Sequence, residues 1–368
     1  MKTVWINGRF LTRPVTGVER VALEVLGTLC RDLLDADGRT RLSGQTVQFR
    51  LAVPQHTALR IPPQLASLPV VPLGWLQGHA WEQVTLAGLP AQDWVINLCN
   101  TAPMLRRRQL VFIHDAQVFA IPQNFSLKFR CWYQWMLRLL SRRSALLVTN
   151  SAFSQQELQR YLGKALERCV VAHLGANHMQ RIQPALSADM LAQLPNQPFI
   201  LAVSSANPNK NFQLIIELLP RLQALGLACV MVGQRDQRMF QQVELNDRVV
   251  HLGYVSDENL AALYQRAFCL VYPSFYEGFG LPPLEAMWLG APVVVSNCSA
   301  LPEVCQTAAI YCDPNDAESL YQALANLVAR PDQVAQLRQS GQQHARQFTW
   351  QNTAQKILQQ LVQADQSV

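Results

Sequence analysis

Glu277 and Glu285, with seven residues between them, stand in the stretch Val271-Tyr-Pro-Ser-Phe-Tyr-Glu-Gly-Phe-Gly-Leu-Pro-Pro-Leu-Glu-Ala-Met-Trp-Leu-Gly-Ala-Pro-Val-Val-Val-Ser296. The first glutamate sits in a glycine loop, the second in the opening of a helix. Pro282-Pro283 starts that helix and Gly290 marks its end, the usual asymmetry of proline and glycine at helix termini. A glycine loop that runs into a helix start presents backbone N–H groups and partial positive charge, so an anion is favoured there. A carboxylate accepts two hydrogen bonds from a vicinal diol, which is how an acidic residue holds a ribose. These residue types together call for a ligand with both phosphate and sugar hydroxyls.

The elements around this stretch alternate in the α/β manner. Lys2 to Asn7 reads as a strand, Gly8 to Gly17 as a loop, and Val18, Val21, Ala22, Val25, Leu26 and Leu29 recur at helical spacing. Leu110-Val-Phe-Ile-His-Asp115 is an apolar strand ending in two polar residues, at the sheet rim where ligands bind in such folds. Leu146 to Thr149 reads as a strand before a helix capped by Ser154-Gln-Gln-Glu157. Met179 to Pro198 is polar, weakly patterned and expected to be a linker. Beyond it come a strand from Phe199, a loop with Lys210, a helix from Phe212, and strands at Ala228 to Gly233 and Val249 to Gly253. Asp257 to Ala267 is a helix leading into the glutamate stretch, and two polar-faced helices come after Asp313-Pro314.

The 368 residues suit two domains, and 49% hydrophobic against 15% charged residues excludes a disordered chain. Nine cysteines without a C-x-x-C pair read as reduced core thiols, and so as a cytosolic setting. Neither a signal peptide nor a run of ~20 apolar residues is evident. The first 178 residues carry 20 Lys and Arg against 10 Asp and Glu, whereas the rest carry 11 against 15. The basic character of the net charge of +6 therefore belongs to the first half. Within it, Lys128, Phe129, Arg130, Trp132, Tyr133, Trp135, Arg138, Arg142 and Arg143 leave two readings open: an interfacial helix on anionic lipid, or an α/β helix with its arginines in water.

With its glycines, prolines and following strand, the frame E-G-F-G-L-P-x-L-E-A-M-x-x-G-x-P-V-V around Glu277 and Glu285 resembles the E-x7-E signature of family 4 retaining glycosyltransferases. The resemblance covers nearly the whole chain. It implies a GT-B fold: α/β, two Rossmann-like domains facing each other across an interdomain cleft, with a C-terminal helix crossing back to the first. The expected domains are an acceptor-binding one over residues 1–178, joined by 351–368, and a nucleotide-sugar-binding one over 196–350. Phe348-Thr-Trp350 resembles the family's marker before the last helix. The resemblance places Lys210, the loop residues Gly278, Phe279, Gly280 and Leu281, and the close-approach Gly17 at the donor diphosphate. It places Glu285 at the ribose, Tyr254 beside the base, Glu277 at the donor sugar's hydroxyls and His114 at that sugar's reacting edge. Read from composition alone, the Gly17 loop is equally an ordinary turn capped by Thr16. Many members of the family it resembles carry an arginine at the position of Ser205 or of Asn209, and this chain has neither.

The implied reaction moves a hexose from a nucleotide-diphosphate sugar to a hydroxyl with retention. A fixed ammonium at Lys210 would stabilise the charge that develops on the departing diphosphate. The resemblance implies no metal and no cofactor besides the donor, and no D-x-D aspartate pair stands ready to bridge phosphates. Ile6-Asn-Gly-Arg-Phe10 with Thr16-Gly-Val-Glu-Arg20 looks like bacterial mannosyltransferases of polysaccharide assembly. GDP-mannose is accordingly the expected donor and a lipid-linked glycan the expected acceptor, at the cytoplasmic face of a membrane the protein touches peripherally, with no nucleic acid partner. The alternatives are a UDP-sugar donor, or an epimerase on the same fold.

Overall fold

In the computed structural model, residues 2–42, 44–55, 59, 61–204, 207–233 and 249–366 are described. Ser205 lies outside them. The chain divides into two compact units, Met1–Gly175 with Trp350–Val368 and Ala176–Thr349. The segment expected as a linker is structured and belongs to the second unit. It takes in the end of a 3-10 turn, Asn177–Arg181, in which His178 and Met179 are buried, and a short helix, Ala188–Gln193.

The first unit contains β1 (Lys2–Asn7), β2 (Arg39–Leu42), β3 (Gln45–Pro54), β4 (Val70–Leu73), β5 (Trp94–Asn97), β6 (Gln109–Phe112), β7 (Leu146–Thr149) and β8 (Val170–Val171). Their order is β2-β3-β1-β5-β6-β7-β8, with β4 also on β3; among the described pairings β2–β3 is antiparallel and the rest are parallel. The central strands β5 and β6 are buried at every position, as a sheet covered on both faces requires. The long helices of this unit include α1 (Gly17–Asp32), α2 (Leu127–Arg143) and α3 (Ala152–Leu162). The N-cap of α3 is Ser151, whose hydroxyl accepts from Ser154 N, so the cap expected at Ser154 lies one turn earlier. Strand β7 ends at Thr149, and the first available serine after it takes the role.

The terminal helix Trp350–Gln366 packs on α1 within this unit. Trp350 is fully buried, and Ile357, Leu358 and Leu361 continue its apolar stripe at three- and four-residue steps. At its far end Asp365 accepts from Lys2, from Arg108 and from Trp94 Nε1, pinning the helix to β1 and β5. Burial works to raise the Asp365 pKa, but Lys2, Trp94 and Arg108 outweigh it and hold the carboxyl below its usual value.

The second unit has β9 (Phe199–Ser204), β10 (Ala228–Gly233), β11 (Val249–His251), β12 (Cys269–Tyr272), β13 (Val293–Ser296) and β14 (Ile310–Cys312). All described pairings are parallel in the order β11-β10-β9-β12-β13-β14. Strand order reverses between β9 and β12, and in such doubly wound sheets the crevice beyond the strand carboxyl ends at that point is where ligands bind. Around this sheet run α4 (Phe212–Leu222), α5 (Asp257–Arg266) and α6 (Leu281–Trp288). Phe212, Ile215, Leu218, Leu219 and Leu222 give α4 a stripe that joins Ile200, Met231 and Val271 in the core.

Candidate functional site

The loops after β9 and β12 face each other across the reversal point of the second sheet. The β9 loop is closed by the 3-10 turn Pro208–Lys210 and by Asn211, which takes the left-handed conformation at φ 54°. Asn211 Nδ2 donates to the carbonyls of Pro273 and Pro314, and Asn209 Nδ2 to that of Tyr276, while Phe275 N donates to Asn209 O. The two loops are thus laced together by asparagines. Asn209 Oδ1 and Ser274 Oγ are left buried without a hydrogen-bond partner.

This lacing brings Lys210 to Glu277. Lys210 Nζ is 2.8 Å from Glu277 Oε1 and 2.5 Å from the hydroxyl of Tyr272, whose ring also lies beneath the ammonium at 4.8 Å. Glu277 is 7% exposed, so its charge is held with little help from water. Burial, then the Glu277 charge, pushes the Tyr272 phenol well above 10, so it remains a neutral hydroxyl. Tyr272, the last residue of a buried strand, carries no signature that marks it in the sequence.

Helix α6 begins beside this pair. Its N-cap is Gly280 at φ 104°, with no capping side chain, and a Cβ there would lie 2.6 Å from Leu301 Cδ2. Glycine is therefore required for the chain to turn from the Glu277 loop into the helix. Phe279 is buried, and Leu281 is the first residue of α6. One turn further, Glu285 Oε1 lies 3.1 Å from His178 Nε2 and Oε2 lies 3.2 Å from the Tyr264 hydroxyl. Neither partner stands out in the sequence. Tyr254, at the turn after β11, is 81% exposed.

In the first unit the candidate residues gather at the carboxyl ends of β1, β5 and β6, which are neighbours. Gly17 opens α1, where Thr16 and Glu19 form a capping box, and a Cβ on Gly17 would meet no atom within 4 Å. No constraint of the fold asks for glycine there. The backbone of His114 is held by Asn100 Oδ1, which accepts from its N–H at 2.7 Å, and by Ser154 Oγ, which donates to its carbonyl at 3.1 Å. Its Nε2 lies 2.8 Å from Leu98 O. A carbonyl can only accept, so Nε2 carries the proton, and Nδ1 is the lone-pair nitrogen of the neutral ring. Burial lowers the His114 pKa to about 4, so the ring is neutral at physiological pH. Its chemistry is that of a hydrogen-bond acceptor at Nδ1.

Below this rim lies a second polar cluster that composition does not reveal. Glu82, fully buried, is 3.0 Å from Arg9 Nε, 2.8 Å from Asn7 Nδ2 and 2.7 Å from Thr101 Oγ1. Burial works to raise its pKa, but His79, Arg9, Asn7 and Thr101 together keep it low and ionised. It ties the end of β1 to the loop after β5, and Asn7 Nδ2 in turn donates to Asn97 Oδ1 at the end of β5.

Residues 190–344 match the family described as Glycosyl transferases group 1. The O-antigen chain mannosyltransferase B of Escherichia coli is 35% identical over 266 residues, covering 68% of this chain and 69% of that one. The O-antigen chain mannosyltransferase RfbU of Salmonella typhimurium is 28% identical over 270 residues, 72% of this chain and 73% of that one. Among solved structures, the sucrose-phosphate synthase of Thermosynechococcus elongatus superposes with a TM-score of 0.74 at 17% identity, over 100% of both chains. The architecture is that of the GT-B glycosyltransferases.

Proposed function

We propose that this chain, which belongs to the group 1 glycosyltransferases, moves mannose from GDP-mannose to a hydroxyl of a lipid-linked glycan, with retention at the anomeric carbon and without a metal. The observation that carries the reading is the Lys210–Glu277–Tyr272 cluster, set at the reversal point of a parallel sheet beside the start of α6. In the reaction the bond from C1 of the sugar to the diphosphate oxygen breaks, a bond from C1 to the acceptor oxygen forms, and the acceptor hydroxyl's proton passes to the departing diphosphate. The leaving group gains charge as this happens. Lys210, the amides from Gly278 to Leu281 and the α6 dipole are the groups that would stabilise that charge where it develops. Glu277 would accept from the donor sugar's hydroxyls and Glu285 from the ribose. His114 Nδ1 would accept a hydroxyl at the sugar's reacting edge, and Gly17 would allow close backbone approach to the diphosphate. Tyr254 offers an exposed ring to the base.

Mannose as the transferred sugar and a glycan as the acceptor rest on the names of the two O-antigen relatives. Contact with an anionic membrane surface, at its cytoplasmic side, rests on α2. Leu127, Cys131, Trp135, Arg138 and Arg142 recur at three- and four-residue steps and all are exposed, opposite the buried Met136, Leu137 and Leu140. The helix carries five basic residues and no acidic one. Tryptophan and cations on one solvent face suit a headgroup layer. Among the described residues no helix is long and apolar enough to cross a membrane.

The test is a thermal-shift screen with GDP, UDP, ADP and their sugars, followed by product analysis with and without a lipid-linked glycan acceptor. A ligand that binds the native state raises its melting temperature. Stabilisation by GDP and GDP-mannose, with mannose appearing on the acceptor in the same anomeric configuration, supports the proposal. Preference for UDP replaces the donor, and isomerised donor in the absence of acceptor replaces the reaction by an epimerase.

A further inference from the structure

We infer that His178 and Tyr264 are positioning residues that clamp the two oxygens of Glu285 and thereby set how strongly the site distinguishes a ribose from a deoxyribose. The inference rests on the reading of Glu285 as the ribose carboxylate. The two donors reach it from separate elements: His178 from the 3-10 turn that opens the second unit, Tyr264 from the last turns of α5. One is 3.1 Å from Oε1, the other 3.2 Å from Oε2, so each oxygen has its own inward partner. An ionised carboxylate only accepts, so both contacts are donated to it. His178 is 2% exposed, Tyr264 is fully buried and Glu285 is 7% exposed, so water does not compete for these bonds. Burial, and then the Glu285 charge, drives the Tyr264 phenol well above 10, which keeps its proton in place.

The clamp has a specific consequence. Each carboxylate oxygen has about two lone-pair sites, and the inward donor takes one, leaving one outward site per oxygen. A pair of adjacent hydroxyls fills both. Because the carboxylate plane is already fixed, little rotamer entropy is lost when a diol arrives. A 2′-deoxyribose leaves one outward site without a donor, and a pinned, poorly hydrated oxygen cannot turn to find another. With either inward donor removed, the carboxylate can rotate, and the two sugars become more alike.

The experiment measures the dissociation constants of GDP and 2′-deoxy-GDP, with UDP and 2′-deoxy-UDP in parallel, by calorimetry on the full chain, and the melting temperature of each variant. The variants are Tyr264→Phe, His178→Leu, His178→Gln and Glu285→Gln. For the nucleotide pair that binds, wild type is expected to favour ribose by ~10-fold or more, the size of one hydrogen bond to a charged group. Tyr264→Phe, which deletes one oxygen and keeps the ring, and His178→Leu should bring the ratio to within ~3-fold, chiefly by weakening the ribonucleotide. His178→Gln, which retains an N–H donor, should recover part of the preference. A lowered melting temperature with the wild-type ratio in Tyr264→Phe and His178→Leu, while Glu285→Gln loses it, overturns the clamp and leaves the ribose reading standing. An unchanged ratio in Glu285→Gln, or no binding of any nucleotide to wild type, overturns the ribose reading and the clamp with it.

Discussion

Lys210 Nζ stands 2.8 Å from Glu277 Oε1, so the cation proposed for the donor diphosphate and the carboxylate proposed for the donor sugar are ion-paired with each other. Tyr272 holds the ammonium from a second side. The pair keeps two charges satisfied in a site with little water. In the proposed reaction a donor would exchange with it, its phosphates taking the lysine and its hydroxyls the glutamate.

Removing either member should therefore be severe. Lys210→Ala and Glu277→Ala are each expected to lower turnover at least ~100-fold in a sugar-transfer assay, as loss of a charge partner for the transition state does. The double variant should cost less than the product of the two, because each single change also strands its partner's charge, that of buried Glu277 or of half-buried Lys210. Near-normal rates in both single variants would remove the proposed site.

His114 makes a prediction about pH. Its pKa in the folded chain is about 4, below the unfolded value near 6.5, so the unfolded state binds the extra proton first. The stability this contributes is complete above about pH 6.5 and is lost as pH falls toward 4. The melting temperature of wild type should thus fall more steeply than that of His114→Gln between about pH 6.5 and 4.5. Transfer by wild type should show no titration of this imidazole between about pH 5 and 8.

Helix α2 should bind anionic lipid. Sedimentation with vesicles containing phosphatidylglycerol is expected to pull down the wild-type chain, and pure phosphatidylcholine vesicles much less. Arg138→Glu with Arg142→Glu should weaken binding by at least ~10-fold, at ~1 kcal/mol per basic residue near the surface, and Trp135→Ala should weaken it further. Raised salt should act in the same direction. Equal binding to both vesicle types, or indifference to these changes, would assign α2 to the solvent.

Gly280→Ala tests the turn into α6. The backbone there is at φ 104° and the new methyl would meet Leu301. The variant should lose ~1–3 kcal/mol, read as a fall in midpoint on urea unfolding. Gly17→Ala, with open space and no such backbone, should leave stability within about 0.5 kcal/mol of wild type.

The strands, the glycine turn and the glutamate spacing are legible in the sequence because each is written in contiguous residues. Apolar runs such as Val293 to Ser296 sit between turn residues, and Glu277, Gly280 and Glu285 lie within one loop and helix. What the sequence hides is the support. Tyr272 is 62 positions from Lys210, and His178 is 107 from Glu285, so no local pattern could pair them. His178 falls at the edge of a polar stretch that composition presents as a linker, although the turn it belongs to is buried. Ser151 and Ser154 are chemically equivalent as caps for α3, and only the end of β7 decides between them.

The central claim is that a nucleotide diphosphate settles against the loop from Gly278 to Leu281 with Lys210 on its phosphates. The direct measurement is a crystal structure of the chain with GDP, or with whichever diphosphate raises the melting temperature most. The expected density places the pyrophosphate within hydrogen-bonding distance of Lys210 Nζ and those amides, with the ribose at Glu285. Density for the nucleotide elsewhere, with the Lys210–Glu277 pair undisturbed, would contradict the account.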